Sequence, residues 1–256
     1  MSPRRPPRPW VGAPRAVDPT ELLGPRGLTE EVLRGEDAEP SATPGSAQFY
    51  WSLLTPERRD RIQSVVDARL QSVTIVLDRL FDPHNTAAIL RTAEGLGVSR
   101  AHVVPHAEGD AVAHRRVTQD AHKWLDVERH ESGARAAGSL RAAGYEVWAG
   151  HLDARARLYT ELPADRPLAL LFGNEHEGPS AQTLAACTGT FRIPMAGFTQ
   201  SFNVSVAAAI ALGHATSARR RYLETAGDLP AQARVLLRDR FTLLAAKLAR
   251  RVKSRR

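Results

Sequence analysis

The sequence predicts an α/β domain built on a mostly parallel sheet. Five short, apolar, β-rich runs recur between residues 73 and 195. Stretches with helical spacing separate most of them, and strands alternating with helices indicate parallel strand–helix–strand units. The runs are continuously apolar, as in strands buried on both faces.

Residues 1–48 form an N-terminal extension. Residues 1–46 hold nine of the seventeen prolines. Runs such as "MSPRRPPRPW" cannot bury enough apolar surface to offset the entropy of ordering. The segment is expected to be largely disordered, with room for a short helix at Thr29–Leu33. Order is expected from near Phe49. "TPERRDRIQSVVDARL" opens a helix, with Thr55 as N-cap and Pro56 at the first helical position.

The predicted strands are 73–78, 101–105, 146–150, 168–173 and 191–195, and helices are expected over 85–96, 132–143 and 179–187. "SFNVSVAAAIALGHATSARRRYLE" then reads as a long helix, its early alanines and valines buried and its late arginines exposed. A last basic helix covers 230–252, with Val235, Leu236, Phe241, Leu244 and Leu248 as a loose apolar stripe.

The single cysteine, Cys187, excludes an internal disulfide, and a reduced, cytoplasmic compartment is the default expectation. No apolar stretch follows the N-terminal arginines, so no secretory signal is read there. The small-apolar run Val206–Leu212 falls far short of the roughly 20 residues of a membrane span. Residues 219–256 carry twelve Arg and Lys against Glu224, Asp228 and Asp239, more than the chain's whole formal charge of +7. A basic tail on a near-neutral body points to a polyanion, most simply nucleic acid.

Ligands of parallel sheets bind beyond the carboxyl ends of the strands. After the first strand comes "RLFDPHNTAAILRTAEGLGV", with Asn85 at a helix start and Arg91 two turns on. Gly150 and His151 end the third strand. "NEHEGPS" follows the fourth, bringing Gly173, Glu175 and Gly178. "AGFTQSFNVS" follows the fifth, bringing Gly197, Gln200, Ser201 and Asn203. Glycines admit a ligand to the backbone, and polar side chains orient it. No GxGxxG follows any strand, which argues against a nicotinamide-dependent oxidoreductase. His84, His151 and His176 lie in or near these loops without a cysteine or carboxylate constellation, so no metal is expected.

"DPHNTAAILRTAEGLGV", "LLFGNEHEGPS" and "IPMAGFTQSFNVSVAAAIAL" resemble motifs 1, 2 and 3 of the SPOUT RNA methyltransferases, in order, over about residues 56–222. The TrmH branch, which methylates the 2′-OH of guanosine 18 in the D-loop of tRNA, is the nearest. "AHKWLDV" (121–127) and the basic "LLAAKLARRVK" are similar to that branch too. The resemblance implies a SPOUT domain at 49–222 with a C-terminal deep trefoil knot, a rare exception to unknotted topology, and a basic helical extension at 223–256. It implies a homodimer that acts on tRNA with S-adenosyl-L-methionine, held at Gly150, Gly173, Ile193 and Phe202 with Met195 nearby. Small residues Ala207, Ala208 and Ala209 would let the last helix pass close to the sheet.

The resemblance makes Arg91, Asn85, Glu175, Ser201 and Asn203 the catalytic set. Neutralising any arginine at pH 7 costs on the order of 7–9 kcal/mol. A bidentate phosphate clamp that orients the ribose therefore suits Arg91 better than a base. Asn85 would orient that arginine, and taken alone reads as an N-cap. Glu175 would orient Arg91 or cap a turn. Ser201 and Asn203 sit where a helix N-terminus receives phosphate or ribose oxygens. An rRNA 2′-O-methyltransferase of a sister branch and a non-catalytic RNA-binding module are the alternatives.

Overall fold

The computed structural model describes residues 46–106 and 121–253; the helix expected at Thr29–Leu33 lies outside them. The described residues fall into two compact units, one of residues 46–64 and 235–253, the other drawn from residues 65–234.

The first unit opens with a helix absent from the sequence prediction, α1 (Ala47–Ser52), capped by Ser46 Oγ, which accepts from Phe49 N at 3.1 Å. Arg59 closes its far end by donating to the carbonyls of Ser52 and Leu54 at 2.7 and 3.0 Å. Helix α2 (Pro56–Asp67) starts as expected, with Thr55 Oγ1 accepting from Arg58 N at 3.3 Å.

In the second unit β1 (Val73–Asp78) is buried at every position. Helix α3 (Pro83–Gly95) is capped by Asp82, whose carboxylate accepts from His84 N at 2.8 Å. Asn85 is therefore not the cap. It is the third helical residue and is buried, so its amide is available for longer-range bonds. There follow β2 (Arg100–Val104), the short α4 (Ala121–Trp124), β3 (Asp126–Arg129), α5 (Gly133–Ala142), β4 (Glu146–Gly150) and the two-residue β5 (Arg157–Leu158). Strand β6 (Leu168–Gly173), α6 (Ala181–Ala186), β7 (Gly189–Arg192), α7 (Val204–Leu223) and α8 (Ala231–Lys253) complete the chain, α8 crossing into the first unit.

All seven strands are parallel, in the order β3-β2-β1-β6-β4-β7-β5. Alternate residues of β6 serve opposite faces. Leu168, Leu170 and Phe172 join the core with α3 and α7, and Ala169 and Leu171 join the core with α5. Two strands escaped the sequence reading: β5 is too short to show a pattern, and "DVER" of β3 is too polar to read as buried. The fifth predicted strand ends at Arg192, not Met195, and Pro194 has no N–H to extend the ladder.

Helix α7 turns Ala208, Ala211, Leu212, Ala215, Thr216 and Arg219 inward, at the spacing of one helical stripe. Ala207 and Ala209 are only half-buried, and Val206 is exposed, against the expectation for the early valines. The late arginines also depart from expectation. Arg219 is buried and donates to Ser72 Oγ at 2.8 Å and the Ala164 carbonyl at 2.9 Å. Arg220 donates to the carbonyls of Ala226, Leu96 and Ala68 at 2.7, 2.8 and 3.0 Å. Both satisfy carbonyls at chain turns, a need invisible to charge counting. In α8, Phe241 is buried as predicted, but Val235 and Leu236 are exposed.

Candidate functional site

The carboxyl ends of β4, β6 and β7 open onto a cleft of about 540 Å³, within the range of small-molecule sites. Each strand contributes through backbone. Gly150 ends β4, and a Cβ there would press the Phe172 ring at 3.3 Å. Gly173 ends β6, and a Cβ there would collide with the backbone of Gly178 and Pro179. Only glycine lets the turn after β6 fold back this closely. Beyond β7, Ile193 and Met195 line the cleft in non-ladder backbone.

All five residues expected to hold a cofactor, Gly150, Gly173, Ile193, Met195 and Phe202, line this one cleft. So do Glu175, Ser201 and Asn203, with Gln200 beside them. Gly197 does not, and a Cβ there would meet open space.

A hydrogen-bonded chain joins the three loops at the mouth. The Asn85 amide donates to Glu175 Oε1 at 2.9 Å, and its Oδ1 accepts from Asn203 Nδ2 at 3.1 Å. Glu175 also accepts from the backbone N–H of Phe81 at 2.7 Å and Asp82 at 3.3 Å. Partial burial opposes ionisation of this carboxyl. The Asn85 amide and the backbone donors outweigh it and hold the pKa below the usual glutamate value. Asn203 caps α7, its Oδ1 accepting from Ser205 N at 2.8 Å and Ser205 Oγ at 2.6 Å. Asn203, at the mouth of the apolar helix, thus does two jobs, capping it and tying it to motif 1.

Arg91 is exposed on α3 and does not line the cleft. Neither does Asn85, which reaches it through Glu175 and Asn203.

Two contributors were missed in the sequence. Asn174 shapes the turn after β6, donating to the Arg79 carbonyl at 2.9 Å and accepting from His176 N at 2.9 Å. Its place beside Gly173 was the available signal. Arg192 lines the cleft with an exposed cation. Phe81 stands exposed beside this wall, edge-on to His106 and His176 at 5.4 and 5.5 Å.

The SpoU rRNA Methylase family matches residues 72–213, which contain every strand and all three loops of this site. The chain belongs to that family. A tRNA (guanosine(18)-2'-O)-methyltransferase of Thermus thermophilus is 38% identical over 165 residues, 64% of this chain and 84% of the relative. The crystal structure of the A. aeolicus TrmH/SpoU tRNA modifying enzyme superposes with a TM-score of 0.65 at 25% identity, covering 76% of this chain and 96% of that one. An AdoMet-bound rRNA methyltransferase from Sinorhizobium meliloti is similar at a TM-score of 0.52 and 30% identity, over 63% of this chain and 60% of that one.

Proposed function

We propose that this chain transfers a methyl group from S-adenosyl-L-methionine to the ribose 2′-OH of a guanosine in tRNA, guanosine 18 of the D-loop. The observation that carries the reading is the Asn85–Glu175–Asn203 chain at the mouth of a glycine-floored cleft. It couples the helix bearing Arg91 to the two loops suited to the methyl donor. The donor set fits that group: backbone at Gly150, Gly173 and Ile193, apolar Met195 and Phe202, and a close backbone turn at Gly173. Bound there, S-adenosyl-L-methionine supplies an electrophilic sulfonium methyl.

The chain's own residues do the rest. Arg91 clamps a substrate phosphate with its planar fork and sets the ribose. Ser201 and Asn203, at the N-terminus of α7, present donors to phosphate or ribose oxygens. Asn85 and Glu175 fix the positions of the loops, and the phosphate held by Arg91 would take the proton that the 2′-OH loses as it accepts the methyl. The Thermus relative's name supports tRNA as substrate.

The working form is a homodimer. Leu152, Phe198, Phe202 and Val206 are exposed apolar residues of the kind a second copy covers. The last strand and helix form a trefoil knot. In support, β7 lies between β4 and β5 in the sheet, so the 151–156 connection must span it before α7 leaves. No described helix is long and apolar enough to cross a membrane, and the expected compartment is the cytoplasm, where tRNA is modified.

An rRNA substrate is the second reading, favoured by the Sinorhizobium structure. Purified protein with labelled methyl donor should modify tRNA transcripts at guanosine 18, and deletion of the gene should remove that 2′-O-methyl mark from total tRNA. Marks lost from rRNA, with tRNA unchanged, would establish the second reading.

A further inference from the structure

We infer that His102, Glu128 and His130 form a site for one divalent transition-metal ion, Zn²⁺ by donor chemistry, which fastens the edge strand β3 to β2. The backbone places the three residues together. His102 and Glu128 are register partners of the parallel β2–β3 ladder. His130 continues that ladder, donating its N–H to the Val103 carbonyl at 3.0 Å. Residues 128 and 130 are two apart and so share a face. All three donors converge on one side of the sheet, and the cleft belongs to β4, β6 and β7.

The three donors lie close to the spacing of co-ligands. His102 Nδ1 and His130 Nε2 are 2.8 Å apart, a hydrogen bond that a bound ion would replace. Glu128 Oε1 is 3.5 Å from His130 Nε2, and Oε2 is 3.8 Å from His102 Nδ1. Ligands at 2.0–2.1 Å from a tetrahedral zinc stand roughly 3.3 Å from one another, so a shift of about 0.5 Å admits the ion. A carboxylate serving only as hydrogen-bond partner would close to about 2.8 Å on one ring. This one sits at or beyond hydrogen-bond range of both.

The imidazoles are nearly buried, with side chains 5% and 9% exposed, while the Glu128 side chain is 42% exposed and free to adjust. Arg100 is the opposing cation. It lies 3.4 Å from Glu128 Oε2 and pairs more closely with Asp126 at 2.9 Å. Asp126 can therefore hold Arg100 when Glu128 turns to the ion. Two imidazoles and one carboxylate suit zinc better than magnesium or calcium, which take oxygen ligands.

The test uses full-length protein stripped with chelator, exchanged into clean buffer and titrated with Zn²⁺ by calorimetry. One ion per chain and a raised Tm are expected. Glu128→Gln and His130→Gln should each weaken binding by at least about 100-fold. Metal-free circular dichroism checks that each variant is folded. Co²⁺-loaded wild type should show the visible d–d bands of a four-coordinate site, lost in the variants. Absence of Zn²⁺ binding to wild type at micromolar concentration overturns the inference. So does unchanged affinity in Glu128→Gln, whose half-exposed side chain leaves the fold intact even if His130→Gln does not.

Discussion

Replacing Asn85 by aspartate should invert the pH dependence of stability around the site. In the wild type the amide donates to Glu175 at 2.9 Å, and Glu175 titrates below its ordinary value. Stability from that carboxylate is therefore present above the unfolded pKa and lost as pH falls through the folded one. Asn85→Asp removes the donor and sets two carboxylates about 3 Å apart, so one of the pair retains its proton to higher pH. Its folded pKa is raised, and the stabilisation of the protonated form is lost as pH rises through it. The lost hydrogen bond to a charged acceptor costs about 1.5–3 kcal/mol. Repulsion adds roughly 1–2 kcal/mol after discounting for the half-exposed, screened setting of Glu175. The sum of about 2.5–5 kcal/mol corresponds to a Tm drop of roughly 10 °C. Urea unfolding at pH 5 and pH 8 measures it. The variant should lose more at pH 8, and Asn85→Ala should lose about 2–4 kcal/mol without that inversion. Equal destabilisation by aspartate at both pH values, or a loss under about 1 kcal/mol, would refute the bridging role.

Arg91→Lys and Arg91→Ala should each lower methyl transfer by about 100-fold or more with cofactor affinity nearly intact, because a lysine cannot reproduce the planar fork; near-normal turnover by the lysine variant removes the clamp. Gly173→Ala drives a Cβ into the Gly178–Pro179 backbone, so calorimetry should show weakened donor binding and melting should show a loss of about 1–3 kcal/mol; wild-type values for both would count against the cradle. Arg220→Ala should cost about 2–4 kcal/mol of stability through its three carbonyl bonds and leave the salt dependence of tRNA binding unchanged. Removing residues 247–256, which hold six Arg and Lys, should lower that salt slope by about 0.7–0.9 for each phosphate the tail no longer neutralises. The opposite pattern would return Arg220 to the RNA surface.

Local sequence sufficed where one segment's own chemistry decides its state. Strands β1 and β6 were legible because near-continuous apolar runs of that length fit little but a strand buried on both faces. Thr55 and Pro56 announced a helix start, and the glycine-bearing loops after β4, β6 and β7 announced the cleft. The family resemblance identified eight residues that do line it. Tertiary structure decided whatever depends on partners distant in the chain. Asn85 reads locally as a helix cap, yet Asp82 takes that role and Asn85 bonds residues 90 and 118 positions away. Arg219 and Arg220 read as free charge, yet they bind carbonyls at turns whose position only the packed helix α7 fixes. Histidines in the active loops drew attention in the sequence. The pair that meets a carboxylate is instead made by the register of β2 on β3, because hydrogen-bonded strands align residues that no short-range pattern relates.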